Sequence, residues 1–206
     1  MRTITVAQAK GGTGKTNVAY HIAHALAEKR RVLVIDLDPQ QAALSEPLAA
    51  YASATPAAAL FVEPTEVEPV GPITLLPRSG HLSGVEREDL DAMARNFIAS
   101  LRTNANRYDV CVIDTPPAQG TGMAAAILAA DLVVSPVELQ EASLNAVQSV
   151  VDTIAPISRQ AISGSPDRGA SAKPTASVAT ATATTASIST GTQSSSIRRK
   201  SSPSAT

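Results

Sequence analysis

One loop organises this chain: Ala9-Lys10-Gly11-Gly12-Thr13-Gly14-Lys15-Thr16, between an apolar run at 4–7 and a helical pattern that begins at Asn17. Glycines in such a turn let backbone N–H groups converge on phosphate oxygens, and the following helix adds the positive end of its dipole. Lys15 is expected to reach the β and γ phosphates of a nucleotide, and Thr16 to bind magnesium. The loop therefore predicts a nucleotide site.

Carboxylates follow two further apolar runs. Asp36 and Asp38 come directly after the run 32–35, and Asp114 follows the run 110–113. In open α/β sheets, ligands bind beyond the carboxyl ends of the strands, so these acids are expected beside the glycine loop. An apolar strand that ends in Asp is typical of the carboxylate that holds magnesium in P-loop proteins.

Apolar runs alternate with helical patterns along residues 1–158. This alternation predicts a doubly wound, mostly parallel sheet of P-loop NTPase type. The five predicted strands are 4–7, 32–35, 73–77, 110–113 and 132–136. Helices are predicted from Asn17 to about 29, in an Ala-rich segment after 42, and at 86–107, 120–130 and 141–155.

The composition changes after Ser158. Residues 163–206 contain 12 Ser, 8 Thr and 8 Ala, and their larger apolar side chains are Val178, Ile188 and Ile197. Such a segment cannot bury enough surface to offset the entropy of ordering it. We therefore expect a P-loop domain at 1–158, with a sheet incomplete on its C-terminal side, and a disordered tail at 159–206.

Charge and cysteine content exclude several classes of protein. Residues 1–158 carry 11 Lys and Arg against 17 Asp and Glu, so the predicted domain is acidic and does not announce nucleic-acid binding. A single cysteine, Cys111, supplies neither a disulfide framework nor a metal cluster. Without a secretory signal or an apolar run near the roughly 18 residues of a membrane span, a soluble cytoplasmic protein is expected.

Five motifs in order resemble the ParA-type partition ATPases, which belong to the deviant Walker A group. The motifs are K-G-G-T-G-K-T at 10–16, D-L-D-P-Q at 36–40, L-L-P-R-S-G at 75–80, V-C-V-I-D-T-P-P at 110–117 and A-A-D-L-V-V-S-P at 129–136. The resemblance covers residues 1 to about 158. It implies ATP and Mg²⁺ as ligands, an ATP-dependent homodimer, DNA binding without sequence preference, a ParB-type centromere-binding partner, no membrane, and a cytoplasmic location on the nucleoid.

The resemblance also implies residue roles. Lys10 would reach across to the partner's phosphates, Asp38 would orient the attacking water, and Asp36 would support the magnesium shell. Asn17 stands where the family commonly has Thr, and it can still donate a hydrogen bond to an α-phosphate. The predicted catalytic residues are thus Lys10, Lys15 and Asp38, and the metal residues are Thr16, Asp36 and Asp114. The predicted nucleotide contacts are Lys10, Gly11, Gly12, Thr13, Gly14, Lys15, Thr16 and Asn17.

Other classes of protein with the same glycine loop have different functions. A nitrogenase-type iron protein needs cluster cysteines, a MinD-type ATPase needs a basic amphipathic helix at its end, and a bacterial tyrosine kinase needs a terminal tyrosine cluster. The tail shows no amphipathic stripe, and the last tyrosine is Tyr108. The alternatives kept beside DNA partition are a MinD-like division-positioning ATPase and a non-catalytic, truncated nucleotide-binding remnant.

The family continues with further strands and basic DNA-binding residues, and nothing after Ser158 matches them. A truncation or frameshift is therefore expected there, and a native disordered tail is the alternative. The predicted strand at 132–136 would then keep an open edge, and such edges recruit other chains. On this hypothesis the protein would be poorly soluble, weakly active, and cut rapidly by protease beyond about residue 163.

Overall fold

The computed structural model describes residues 1–9, 11–38, 44–78, 90–117, 120–137 and 177–182. Six strands form one sheet: β1 (Arg2–Val6), β2 (Val32–Asp36), β3 (Ile73–Leu76), β4 (Val110–Asp114), β5 (Leu132–Val137) and β6 (Ser177–Thr182). Their order across the sheet is β3-β2-β4-β1-β5-β6, and each pair of neighbours is parallel. The predicted parallel sheet is confirmed.

Four α-helices and a short 3₁₀ helix at Ala49–Tyr51 complete the described structure. The α-helices are α1 (Lys15–Ala27), α2 (Ala59–Val62), α3 (Leu90–Thr103) and α4 (Thr121–Ala129). The predicted 86–107 helix is described from Leu90 and ends at Thr103, four residues before its predicted end. Residues 86–89 and the predicted 141–155 helix lie outside the described residues. Among the described helices, none is both long and apolar enough to cross a membrane.

Helices cover both faces of the sheet, because the strands are apolar at successive positions. Leu33 and Ile35 pack with Phe61 of α2 and Phe97 of α3, whose rings stack with centroids 4.6 Å apart. Val32 and Val34 point to the other face and pack with the α1 residues Ala19 and Ala23. All five residues of β2 are buried, as expected for a strand covered on both sides.

Strand β6 corrects the prediction for part of the tail. Residues 177–182 lie in the segment predicted to be disordered, yet they pair in parallel along all six residues of β5. Val178, Thr180 and Thr182 are β-branched, which favours a strand, and β6 is the outermost strand beside β5 in the described sheet. The expected open edge at β5 is therefore covered, while the predicted domain boundary at 158 lies outside the described residues.

Register brings three strand ends to one place. Val6 of β1 and Asp36 of β2 are both direct partners of Asp114 in β4. The backbone N–H of Leu37 also donates to the Asp114 carbonyl over 3.0 Å, which extends the pairing past the end of β2. The glycine loop, Asp38 and Asp114 consequently emerge at the same edge of the sheet.

Candidate functional site: a glycine loop and three carboxylates

The loop between β1 and α1 has the backbone of a phosphate cradle. Gly12 and Gly14 adopt positive φ angles of 76° and 81°, which L side chains rarely accept. Gly14 is also the N-cap of α1. A Cβ placed on Gly11, Gly12 or Gly14 would meet no atom within 4 Å, so the space in front of the loop is open. The glycines therefore serve backbone geometry and ligand access, not internal packing.

A cavity of about 430 Å³ lies on this loop, within the usual range for small-molecule sites of about 300–1,000 Å³. The predicted nucleotide contacts 11–17 and Asp38 line it, together with three residues that the sequence analysis missed. The lining residues are Gly11, Gly12, Thr13, Gly14, Lys15, Thr16, Asn17, Tyr20, Asp38, Pro47 and Pro117. Lys10 lies outside the described residues, so its predicted role stays a prediction.

Lys15 is the cationic side chain among the described residues that line this cavity. Lys15 is the first residue of α1 and is 7% exposed. Burial lowers the pKa of Lys15, while the nearby charges of Asp114 and Asp38 raise it. An ammonium group held between two carboxylates and a glycine loop is suited to an anionic ligand, because the ligand's charge favours its protonated form.

The carboxylate of Asp114 is buried at the end of β4. The residue is 1% exposed, and neither carboxylate oxygen makes a well-aligned hydrogen bond to any described residue. Burial raises the pKa of Asp114 to about 7; the nearby Thr16 hydroxyl and Lys15 pull it down, and Asp36 and Asp38 push it up. A cation beside Asp114 would stabilise its ionised form, because it would offset the cost of burying that charge.

These groups fit magnesium. Mg²⁺ is usually held by one or two protein oxygens together with substrate phosphates and water, and the Asp114 carboxylate and the Thr16 hydroxyl supply such oxygens beside the cradle. Within the described ranges, no three His, Cys, Asp or Glu side chains gather as an independent metal site. A cation here would accordingly depend on the phosphates of a bound nucleotide.

Asp36 is held differently from Asp114. Its Oδ1 accepts the backbone N–H of Asp38 over 3.2 Å, and its Oδ2 accepts the Ser45 hydroxyl over 2.7 Å. Burial raises the pKa of Asp36, and the Ser45 hydrogen bond lowers it. Asp36 is not among the residues that line the cavity, whereas Asp38, 5% exposed, is.

The sequence carried a signal for only some of the missed residues. Pro117 belongs to the D-T-P-P run that pointed to Asp114. Ser45, Pro47 and Tyr20 had no comparable signal: the first two follow a weakly patterned segment, and Tyr20 is one position of an otherwise ordinary helix. Ser45 and Pro47 lie between Leu44 and Leu48, which pack on the α1 side of the sheet, whereas Tyr20 belongs to α1 itself.

The buried state of Asp114 predicts a pH-dependent stability. The pKa of Asp114 is about 7 in the folded protein and about 3.9 in the unfolded chain. Protonation of Asp114 therefore stabilises the folded state, and this contribution to the free energy of unfolding is fully present below about pH 4. It is lost as the pH rises through about 7. The loss is roughly 4 kcal/mol at most. Without Mg²⁺ and nucleotide, Asp114→Asn should therefore unfold at higher urea than wild type at pH 8.5, with a smaller difference at pH 5. A difference in urea midpoint between the two proteins that is the same at pH 5 and pH 8.5 would contradict the assignment.

The fold and the cavity define a P-loop nucleotide-binding protein of the α/β class. The chain belongs to the AAA domain family, which matches residues 1–165, and within that family it resembles the ParA-type partition ATPases. Protein IncC of Escherichia coli is 40% identical over 168 residues, covering 75% of this chain and 46% of the relative. The chromosome-partitioning ATPase Soj of Thermus thermophilus is 36% identical over 157 residues, covering 75% and 61%.

Solved structures agree with this fold. The ATP complex of a McdA variant from Cyanothece is 26% identical and has a TM-score of 0.65. The match covers 77% of this chain and 65% of the McdA chain. Cobyrinic acid a,c-diamide synthase from Mycobacterium smegmatis, with ADP and magnesium bound, is 29% identical at a TM-score of 0.65, covering 77% of this chain and 69% of that one. The chain spans just under half the length of the IncC proteins that it matches.

Proposed function

We propose that this chain binds ATP with Mg²⁺ in the glycine-loop cavity and hydrolyses it, as a partition ATPase. The observation that carries the proposal is the cavity itself: the loop residues 11–17 and Asp38 line one space of about 430 Å³ beside the unpaired carboxylate of Asp114. A complex of ATP with Mg²⁺ would place phosphates on the cradle and a cation beside Asp114.

Each residue has a physical role in this reaction. Backbone N–H groups of the loop and the N-terminus of α1 hold the phosphates, and Lys15 places its charge against the β and γ phosphates. Thr16 and Asp114 would hold Mg²⁺, which when bound neutralises charge that develops on the transferred phosphoryl group. Asp38 lines the cavity with a carboxylate that can orient an attacking water.

The biological role is proposed from the relatives. Soj is named a chromosome-partitioning ATPase and is 36% identical to this chain over 157 residues. We propose that the ATP-bound chain forms a homodimer, binds DNA without sequence preference on the nucleoid in the cytoplasm, and moves plasmid or chromosomal DNA. A ParB-type centromere-binding protein would stimulate hydrolysis.

The direct test is ATP hydrolysis by the purified chain, with and without DNA. We expect Mg²⁺-dependent turnover, and an ATP-dependent shift of a random-sequence duplex that weakens steeply as salt rises, because such binding rests on phosphate contacts. ATP binding without turnover would support the non-catalytic remnant. A shift that does not need ATP would point to the basic tail residues 198–200 instead of an ATP dimer.

Lys10 gives a separate test of action between subunits. Lys10→Ala should still bind ATP, since Lys15 and the loop backbone remain, but its hydrolysis and ATP-dependent dimerisation should fall about 10-fold or more, the scale of one lost charge-assisted phosphate contact. Turnover and light scattering with ATP would measure both. Mixing Lys10→Ala with Lys15→Ala should restore some activity if Lys10 acts on the partner's nucleotide; equal loss of monomer binding in the two variants would contradict this.

A further inference from the structure

Asp36 ties two parts of the chain together at the edge of the site. It lies at the end of β2 and is 1% exposed. One carboxylate oxygen accepts the N–H of Asp38, and the other accepts the hydroxyl of Ser45, nine residues further along the chain. Asp38 stands at the beginning of the connection that leaves β2, and Ser45 stands near its end.

We propose that Ser45 is a positioning residue for ATP hydrolysis: through Asp36 it fixes the loop end that presents Asp38 to the cavity. This inference rests on the proposed ATPase function. Ser45 is not among the residues that line the cavity; its effect would pass through the Asp36 carboxylate to the Asp38 backbone.

Buried neighbours hold Ser45 in the position from which it donates to Asp36. Leu44 and Leu48, on either side of Ser45, are completely buried against the α1 side of the sheet. Pro47, between them, lines the cavity opposite the glycine loop. The hydroxyl of Ser45 is therefore held by core residues, and it can hold Asp36 in turn.

The three acidic residues at the site have different surroundings, which suit them to different roles. Asp114 keeps both oxygens unpaired, as a cation ligand requires, whereas each oxygen of Asp36 already accepts a hydrogen bond. The carboxylate of Asp38 reaches the cavity. Asp36 thus serves as the anchor of the loop in this geometry, and its predicted support of the magnesium shell stays a prediction.

Removal of the Ser45 hydroxyl should loosen Asp38 without removing any group that contacts ATP. A hydrogen bond to a charged group corresponds to roughly 10-fold to 100-fold in an equilibrium, so we expect kcat of Ser45→Ala to fall about 10-fold while the Kd for ATP changes less than about 3-fold. Ser45→Thr keeps the hydroxyl and should restore most of kcat. Ser53→Ala is the matched control, because the Ser53 hydroxyl accepts only the nearby Thr55 N–H among the contacts described.

The experiment joins two readouts on the full-length chain. Hydrogen exchange without nucleotide should show faster exchange at the Asp38 and Leu48 amides in Ser45→Ala, unchanged exchange in Ser53→Ala, and recovery in Ser45→Thr. Unchanged exchange at Asp38 in Ser45→Ala would overturn the contact itself. Faster exchange with an unaltered kcat would overturn the positioning role. A wild-type chain that fails to hydrolyse ATP would refute the proposed function, and the exchange result would still decide the Ser45 contact.

Discussion

Replacement of Lys15 by Ala should abolish nucleotide binding. The ammonium group is buried at the start of α1, near the charges of Asp114 and Asp38, and it is the cation that the cradle offers to the β and γ phosphates. Its loss removes that contact and leaves two carboxylates facing an anionic ligand. We expect ATP affinity to fall at least about 100-fold, from roughly 3 kcal/mol of lost charge-assisted hydrogen bonding.

Fluorescence titration with a labelled ATP analogue would measure the Lys15→Ala effect. Lys29→Ala removes an exposed lysine near the far end of α1 and serves as the matched control, with unchanged affinity expected. Circular dichroism must show that Lys15→Ala is folded, since the substitution also alters the balance of buried charge. A folded variant with undiminished ATP affinity would rule out the glycine loop as the phosphate site.

Asp38→Ala should retain ATP and lose turnover. Asp38 lines the cavity, and its proposed task is to orient the attacking water, which is needed for the reaction and not for binding. General-base or water-orienting groups contribute about 100-fold to 10,000-fold, so we expect a fall of at least about 100-fold in kcat. The ATP-bound dimer should persist longer than in wild type.

Single-turnover hydrolysis and gel filtration with ATP would separate these effects. Asp38→Asn keeps the size of the side chain and removes its charge, so it is the informative comparison. Equal loss in the Asn and Ala variants would indicate that the carboxylate acts chemically. An Asn variant with wild-type turnover would show that Asp38 contributes only by packing.

Hydrophobic patterning predicted the centre of the fold well. Five apolar runs became β1 to β5, and the run 32–35 corresponds to a strand in which every residue is buried. Glycine spacing in residues 11–14 predicted the cradle, because only a limited set of backbone conformations can bring N–H groups to a phosphate. The acids Asp36, Asp38 and Asp114 were found because parallel strands carry their chemistry at their carboxyl ends.

Tertiary contacts determined what the sequence could not predict. Ser45 meets Asp36 across nine residues of chain without a periodic pattern, and Pro47 enters the cavity wall because its leucine neighbours are buried. Strand β6 was missed because Ser, Thr and Ala do not form an apolar run; its place depends on the edge that β5 offers. In each case the partner in space, and not the local composition, selects the structure.

The buried thiol of Cys111 has a practical consequence for measuring this protein. The chain has a single cysteine, and it is completely buried in β4, between β1 and β2, where burial raises the pKa of the thiol. A thiol reagent can reach it only when the central strand becomes exposed, so the labelling rate reports opening of the sheet without any engineered probe. ATP at about 100 times its Kd should slow such labelling roughly 100-fold, because a ligand of the native state suppresses opening by mass action.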